Sequence, residues 1–258
     1  MMDIIKSHDE RYERYEALLL ERDVLRREAG GIWTIYLKNF GQLITDVFEL
    51  KVDCIELKKS IAFCQAAANR GEKPSRAKLD RYIETNMAEY YRELKDMIRS
   101  RDEALASQAV TPYEAQQCKK LYRSLAKAIH PDLHPEVSDN ATISELWSRI
   151  VEAYDHLDLK LLKELSVLVD AALKQLDMGE IAVDIPDISE RIVDLEEEIK
   201  RIRNTEPFTL KKLVEDEIKR EGRKTELEQE LDEYRKYKAE LEQVLASFEF
   251  DESAPLLS

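Results

Sequence analysis

Apolar residues recur along this chain at helical spacing, with few turn-forming residues between them. Tyr12, Tyr15, Leu18, Leu19 and Leu25 lie among dense charge and predict an amphipathic helix over residues 8–28, with Gly30-Gly31 as its left-handed cap. From residue 32 to about 69 the spacing continues through Tyr36, Phe40, Leu43, Val47, Ile55 and Ile61, a segment of about 55 Å at the helical rise. Residues 70–75 stop that helix, and Leu79, Tyr82, Ile83, Met87, Tyr90 and Leu94 carry another toward Leu105. Two long helices joined by so short a turn predict an antiparallel hairpin.

Thr111-Pro112 reads as an N-cap followed by a first-turn proline. A compact segment follows to about residue 165, and residues 159–176 continue as an apolar helix. Met178 to Pro186 reads as a linker. Beyond it Ile188, Ile192, Leu195, Ile199 and Ile202 step 4, 3, 4, 3, the seam of a coiled coil. Leu227, Leu231, Tyr234, Lys238, Leu241, Leu245 and Phe248 repeat the stepping with one lysine lapse. The two seams are expected to bury each other as a second hairpin, with pairing between two copies of the chain as the alternative.

Composition sharpens this picture in two ways. The 258 residues hold 6 Gly and 7 Pro, where an average chain would carry about 18 glycines, which disfavours barrels, sandwiches and glycine-rich nucleotide loops. The 40 Lys/Arg against 54 Asp/Glu leave a net charge of −14, which opposes nucleic acid or an anionic membrane surface as partner. The N-terminus shows no apolar leader and no stretch is long enough for a membrane span, so a cytoplasmic protein is expected. Cys54, Cys64 and Cys118 form no CxxC and read as buried thiols.

The chemistry concentrates in the middle of the chain. Cys118, Tyr122, Leu125 and Ile129 form an apolar stripe, while Lys119, Arg123 and Lys127 form a basic ridge with Lys120 beside it. Pro131 lacks an amide hydrogen and restricts His130 to extended angles, so the helix ends and His130-Pro131-Asp132 becomes the tip of a loop. Trp147, Ile150, Tyr154, Leu157 and Leu161 form a matching stripe on the helix after it. Two such helices close as an antiparallel hairpin with the ridge outside. His130, Asp132, His134 and His156 are not read as a metal set, because Pro131 and Pro135 prevent the i, i+4 arrangement on a helix face. The carboxylates are too numerous and scattered to single out a catalytic pair.

At these positions the sequence resembles the J-domain of DnaJ-type co-chaperones. The family's two helices and loop are matched by Tyr122, Arg123, Leu125, Ala126, His130, Pro131, Asp132, Pro135, Trp147, Ile150, Ala153, Tyr154 and Leu157. The resemblance implies a docking module for a DnaK-type heat-shock ATPase whose hydrolysis it stimulates, with no active site or cofactor in this chain. It implies that Asp132 pairs with an arginine of the ATPase, that His130 supplies a hydrogen bond, that Pro131 holds the loop, and that Lys119, Lys120, Arg123 and Lys127 meet an acidic surface. The family's first helix motif is absent from residues 105–110, so the supporting helix is expected to be the end of the long one before it. Leu133 stands where the family often has Arg or Lys, and the Gly/Phe-rich linker and zinc cysteines are missing, which leaves client choice to the helical flanks.

The expectation is an all-α protein with an N-terminal helical region over 1–110, a J-like module over 111–165 and a C-terminal helical hairpin with acidic tail over 166–258. Its function would be that of a co-chaperone adaptor, with its arms available to a protein client. The rival is a coiled-coil scaffold in which the J-like fold survives only as packing. The two separate on whether the tripeptide and the ridge lie free in solvent, and the adaptor reading fails where the N-terminal hairpin or the acidic tail covers them. Residues 187–258 carry 21 Asp/Glu against 13 Lys/Arg and are the candidate cover for that basic face.

Overall fold

The structure, a computed structural model, describes residues 10–107, 110–135, 140–175, 185 and 187–251. It is all-α: α1 (Glu10–Ala68), α2 (Arg76–Ala106), α3 (Pro112–Ile129), α4 (Ala141–Asp155), α5 (Leu159–Gln175), α6 (Ile188–Asn204), a 3₁₀ turn (Phe208–Leu210), α7 (Lys211–Glu215) and α8 (Glu217–Ala246). The linker expected over 178–186 lies outside the described residues apart from Ile185.

The first departure from expectation is α1. It runs unbroken for 59 residues through Gly30 and Gly31, where a cap was expected. Each mid-helix glycine costs about 1 kcal/mol against alanine, but buried Leu25 and Ile32 on either side contribute more through burial. The left-handed cap falls instead on Gly71, with φ +74°, where the Gly71 and Glu72 amides close back onto the carbonyls of Ala68 and Ala67.

The chain compacts into two units, one of residues 1–32 and 108–209, the other of residues 33–107 and 210–258. These do not follow the three consecutive stretches expected, because α1 supplies packing surface to both. In the second unit the predicted hairpin forms from α1 and α2: Phe63 meets Tyr82 at 5.4 Å, Tyr91 Oη donates to Glu56 at 2.5 Å, and Lys38 Nζ donates to the Ser107 carbonyl at 2.8 Å. Helix α8 completes this unit, its buried Leu227 and Leu231 continuing into a thiol contact from Cys54 to the Tyr234 carbonyl. Lys238, the lapse in the α8 seam, reaches Asp53 at 2.7 Å, so the charge at that seam position has a partner on α1.

The seams of α6 and α8 therefore do not bury each other as expected. Each finds its apolar partner on a different stretch of α1. Ile188, Leu195 and Ile199 of α6 pack with Tyr12, Tyr15, Leu18, Leu19 and Leu25, flanked by ion pairs Arg14–Glu196 and Arg203–Glu21 at 2.7 and 2.6 Å and by Arg26–Glu198. A long continuous apolar face outcompetes a two-heptad hairpin, since it adds buried area without a turn.

The remaining core of the first unit joins α3, α4 and α5 through Cys118, Tyr122, Leu125, Ile129, Ile143, Ile150, Leu162, Leu165 and Val169, with Leu20 of α1 entering it. Thr111 and Glu114 make a reciprocal capping box at the start of α3, as the Thr-Pro signal suggested. The apolar stripe expected to run on to Leu161 is split. Helix α4 stops at Asp155, Leu157 takes φ +53°, and Asp158 turns back to the Ala153 carbonyl at 2.8 Å before capping α5 through its side chain. Leu157 and Leu161 still pack on this core, from the turn and from α5.

Candidate docking site at the loop after α3

Helices α3 and α4 lie antiparallel, joined across their interface by Tyr122 stacked on Tyr154 at 4.1 Å and by Trp147, which meets Tyr122 at 5.9 Å and the His130 ring edge-on at 4.6 Å. The His130 amide donates to the Ala126 carbonyl as the last helical bond, and Pro131 ends the helix as predicted. Beyond it the Leu133 and His134 amides both donate to the His130 carbonyl, at 2.9 and 2.8 Å, and the His134 ring reaches the Lys127 carbonyl at 2.7 Å. The Asp132 amide donates to His130 Nδ1 at 3.0 Å, which makes Nδ1 the acceptor and turns Nε2 outward from the loop.

Nε2 faces a carboxylate that the sequence did not single out. Asp23 of α1 holds its Oδ2 at 3.5 Å from His130 Nε2 and 2.8 Å from the Tyr122 hydroxyl, which donates to it. Its Oδ1 accepts from both Nε and a terminal nitrogen of Arg22, at 3.0 and 2.8 Å. Burial alone would raise this carboxyl; the contacts from His130, Arg22 and Tyr122 outweigh it and hold the acid below its ordinary value. Burial and the Asp23 charge together push the Tyr122 phenol up.

The basic ridge lies along the same helix. Lys127 pairs with Glu16, Lys119 with Glu28 at 3.4 Å, and Arg27 Nε donates to the Tyr154 carbonyl at 3.2 Å. Lys120 and Arg123 are exposed and form no ion pair among the described residues. The contacts run 16 to 127, 23 to 122 and 28 to 119, so α1 crosses α3 antiparallel. This replaces the expectation that the end of α2 supports the module: α2 ends at Ala106, inside the other unit, and α1 takes its place.

The loop is thus only partly open to solvent. His130 is 5 % exposed and Leu133 is fully buried against the α1 and α6 cluster, while Pro131 and the Asp132 carboxylate are half-exposed. Arg22 of α1 and Arg191 of α6 both feel the Asp132 charge. Between α1 and the loop lies an open cleft of about 580 Å³, with Arg22, Asp23 and Arg26 on one wall and His130, Pro131, Asp132 and Trp147 on the other. The acidic tail expected to cover the basic face does not do so in the described residues; Glu196 and Glu198 of α6 pair with arginines of α1, and the carboxylates against the ridge are those of α1 itself.

Of the seven candidate residues, His130, Pro131 and Asp132 come together at the loop, Lys119 and Lys127 are tied to α1, and Lys120 and Arg123 remain on the open side of α3. The contribution of Glu16, Asp23 and Glu28 carries no local signal, since about a hundred residues separate them from α3. The missing first-helix motif was the one hint that a distant helix had to stand in. Among the described residues no group of three or more His, Cys, Asp or Glu gathers as a metal site, and no helix is long and apolar enough to cross a membrane. No protein-family model matches the chain, and no similar curated protein or solved structure was found.

Proposed function

We propose that this protein is an adaptor that docks on a DnaK-type ATPase through His130, Pro131 and Asp132 with the basic face of α3, and stimulates ATP hydrolysis there. The observation that supports the reading is the loop itself. Two antiparallel aromatic-packed helices hold a His-Pro-Asp turn whose amide at Asp132 is fixed by His130 Nδ1, leaving the Asp132 carboxylate half-exposed for a partner's arginine. Lys120 and Arg123 add positive charge beside it and would speed encounter with an acidic surface. The chemistry stays in the partner, and the helical regions outside the module are left for a protein client.

The scaffold reading is favoured by a different observation: His130 and Leu133 are buried, and Lys119 and Lys127 are paired within the chain. Single-turnover ATP hydrolysis by a DnaK-type chaperone, with this protein intact or carrying His130→Gln, separates the two. The adaptor reading expects stimulation that the substitution abolishes. Because His130 is buried, Arg123→Glu is the companion variant; it sits in solvent, leaves the fold intact and is expected to weaken stimulation in a salt-dependent way. Failure of the intact protein and of its variants to stimulate at any concentration supports the scaffold.

A further inference from the structure

We infer that the first helix of this protein is an internal occupant of the docking face, a latch that a chaperone must displace before it can bind. The inference rests on the adaptor reading above and concerns the regulation of that same site. An acidic partner surface that met α3 would need carboxylates opposite Lys119 and Lys127, an acceptor near His130 and an arginine near Asp132. Helix α1 supplies this set from within the chain: Glu28 and Glu16 on the two lysines, Asp23 opposite His130 Nε2 and accepting from Tyr122, and Arg22, held on Asp23, in the cleft that Asp132 also lines. The correspondence is chemical as well as positional, since both lysines of the ridge that α1 pairs with meet carboxylates and His130 faces a third.

Two features make the contact a latch instead of a permanent core. Its two lysine pairs are partly solvated, with Lys127 at 54 % and Glu28 at 44 % side-chain exposure, so water and salt compete for them, while Asp23 and His130 form its buried centre. Its apolar anchorage is carried by other residues: Tyr12, Tyr15, Leu18, Leu19 and Leu25 hold α1 to α6 and Leu133, and only Leu20 enters the α3–α4–α5 core. Helix α1 can therefore release the two lysines of α3 while keeping its main apolar partner, and full release also breaks the Asp23 contacts with Tyr122 and His130. Lys120 and Arg123 stay exposed throughout and offer a first foothold for the incoming surface.

The experiment uses the full chain with the double substitution Glu16→Gln, Glu28→Gln, which removes both lysine partners and leaves every proposed docking residue in place. Amide hydrogen exchange without any chaperone reads the latch directly, and single-turnover ATP hydrolysis reads its consequence. The expected result is faster exchange in the loop after α3 and stimulation raised roughly three- to tenfold at limiting adaptor, abolished again when His130→Gln is added. Unchanged exchange in the double variant overturns the latch. Faster exchange with stimulation equal to that of the intact protein also overturns it, while the adaptor reading stands. Faster exchange with no stimulation from either form overturns the adaptor reading itself.

Discussion

The two stretches of α1 are made of similar residues and are used differently. Over residues 10–32 the helix meets the rest of its unit through a buried apolar face, Tyr12, Tyr15, Leu18, Leu19, Leu20 and Leu25, framed by carboxylates and arginines set against opposite charges and with Asp23 at the centre of a hydrogen-bonded group. Over residues 33–68 its buried side chains include Phe40, Val47, Val52, Cys54 and Cys64, and its polar contacts, Lys38 with the Ser107 carbonyl, Glu56 with Tyr91 and Asp53 with Lys238, lie at exposed or half-exposed positions. Apolar packing holds a helix in place without specifying which charged partner it faces. Complementary charge adds that specification, and the same charges are available to a competitor. The half-exposed lysine pairs of the first stretch are open to such a competitor, whereas its buried Asp23 group and apolar face are not.

The largest test of this contrast is in the cores. Phe40→Ala and Ile150→Ala each empty a fully buried site and should cost about 3–5 and 2–5 kcal/mol respectively. Hydrogen exchange should then show the loss of protection confined to residues 33–107 and 210–251 for the first, and to the α3–α4–α5 core for the second. Protection lost equally in both units would mean that α1 couples them into one cooperative block.

A smaller effect separates the two aspartates. Asp23→Ala strands the Tyr122 hydroxyl and His130 and should destabilise by about 2–3 kcal/mol, whereas Asp53→Ala breaks a half-exposed pair worth about 1 kcal/mol or less. Asp23 also sets a pH dependence. Its folded value lies below its unfolded one, so its stabilisation is complete above the ordinary aspartate value and is lost as pH falls below about 4 toward the lowered value. Acid titration of the first unit should show that loss, and Asp23→Asn should flatten it.

The smallest test uses two glycines with opposite signs. At Gly71, φ +74° strains any side chain, and alanine should cost about 1 kcal/mol. Gly30 lies inside α1 with nothing beyond the helix's own backbone within 4 Å of the position a Cβ would take, and alanine there should stabilise by about 0.5–1 kcal/mol. Destabilisation at Gly30 would show that the helix needs its flexibility at that point.

The sequence by itself determined the all-α class, the N-cap at Thr111 with Pro112 after it, the α1–α2 hairpin with its turn at residue 71, and the helix stop at Pro131, because each depends on spacing or on the backbone chemistry of neighbouring residues. It also brought His130, Pro131 and Asp132 to one loop and Tyr122 and Tyr154 to one interface, since they lie on adjacent helices. Tertiary structure alone decided that α1 passes through its glycine pair, that the seams of α6 and α8 seek α1 instead of each other, and that Glu16, Asp23 and Glu28 lie against α3. A heptad records that a helix has an apolar side but not which other apolar side it will meet. That choice is a competition among distant surfaces for buried area and matching charge, and it is settled only when the whole chain folds.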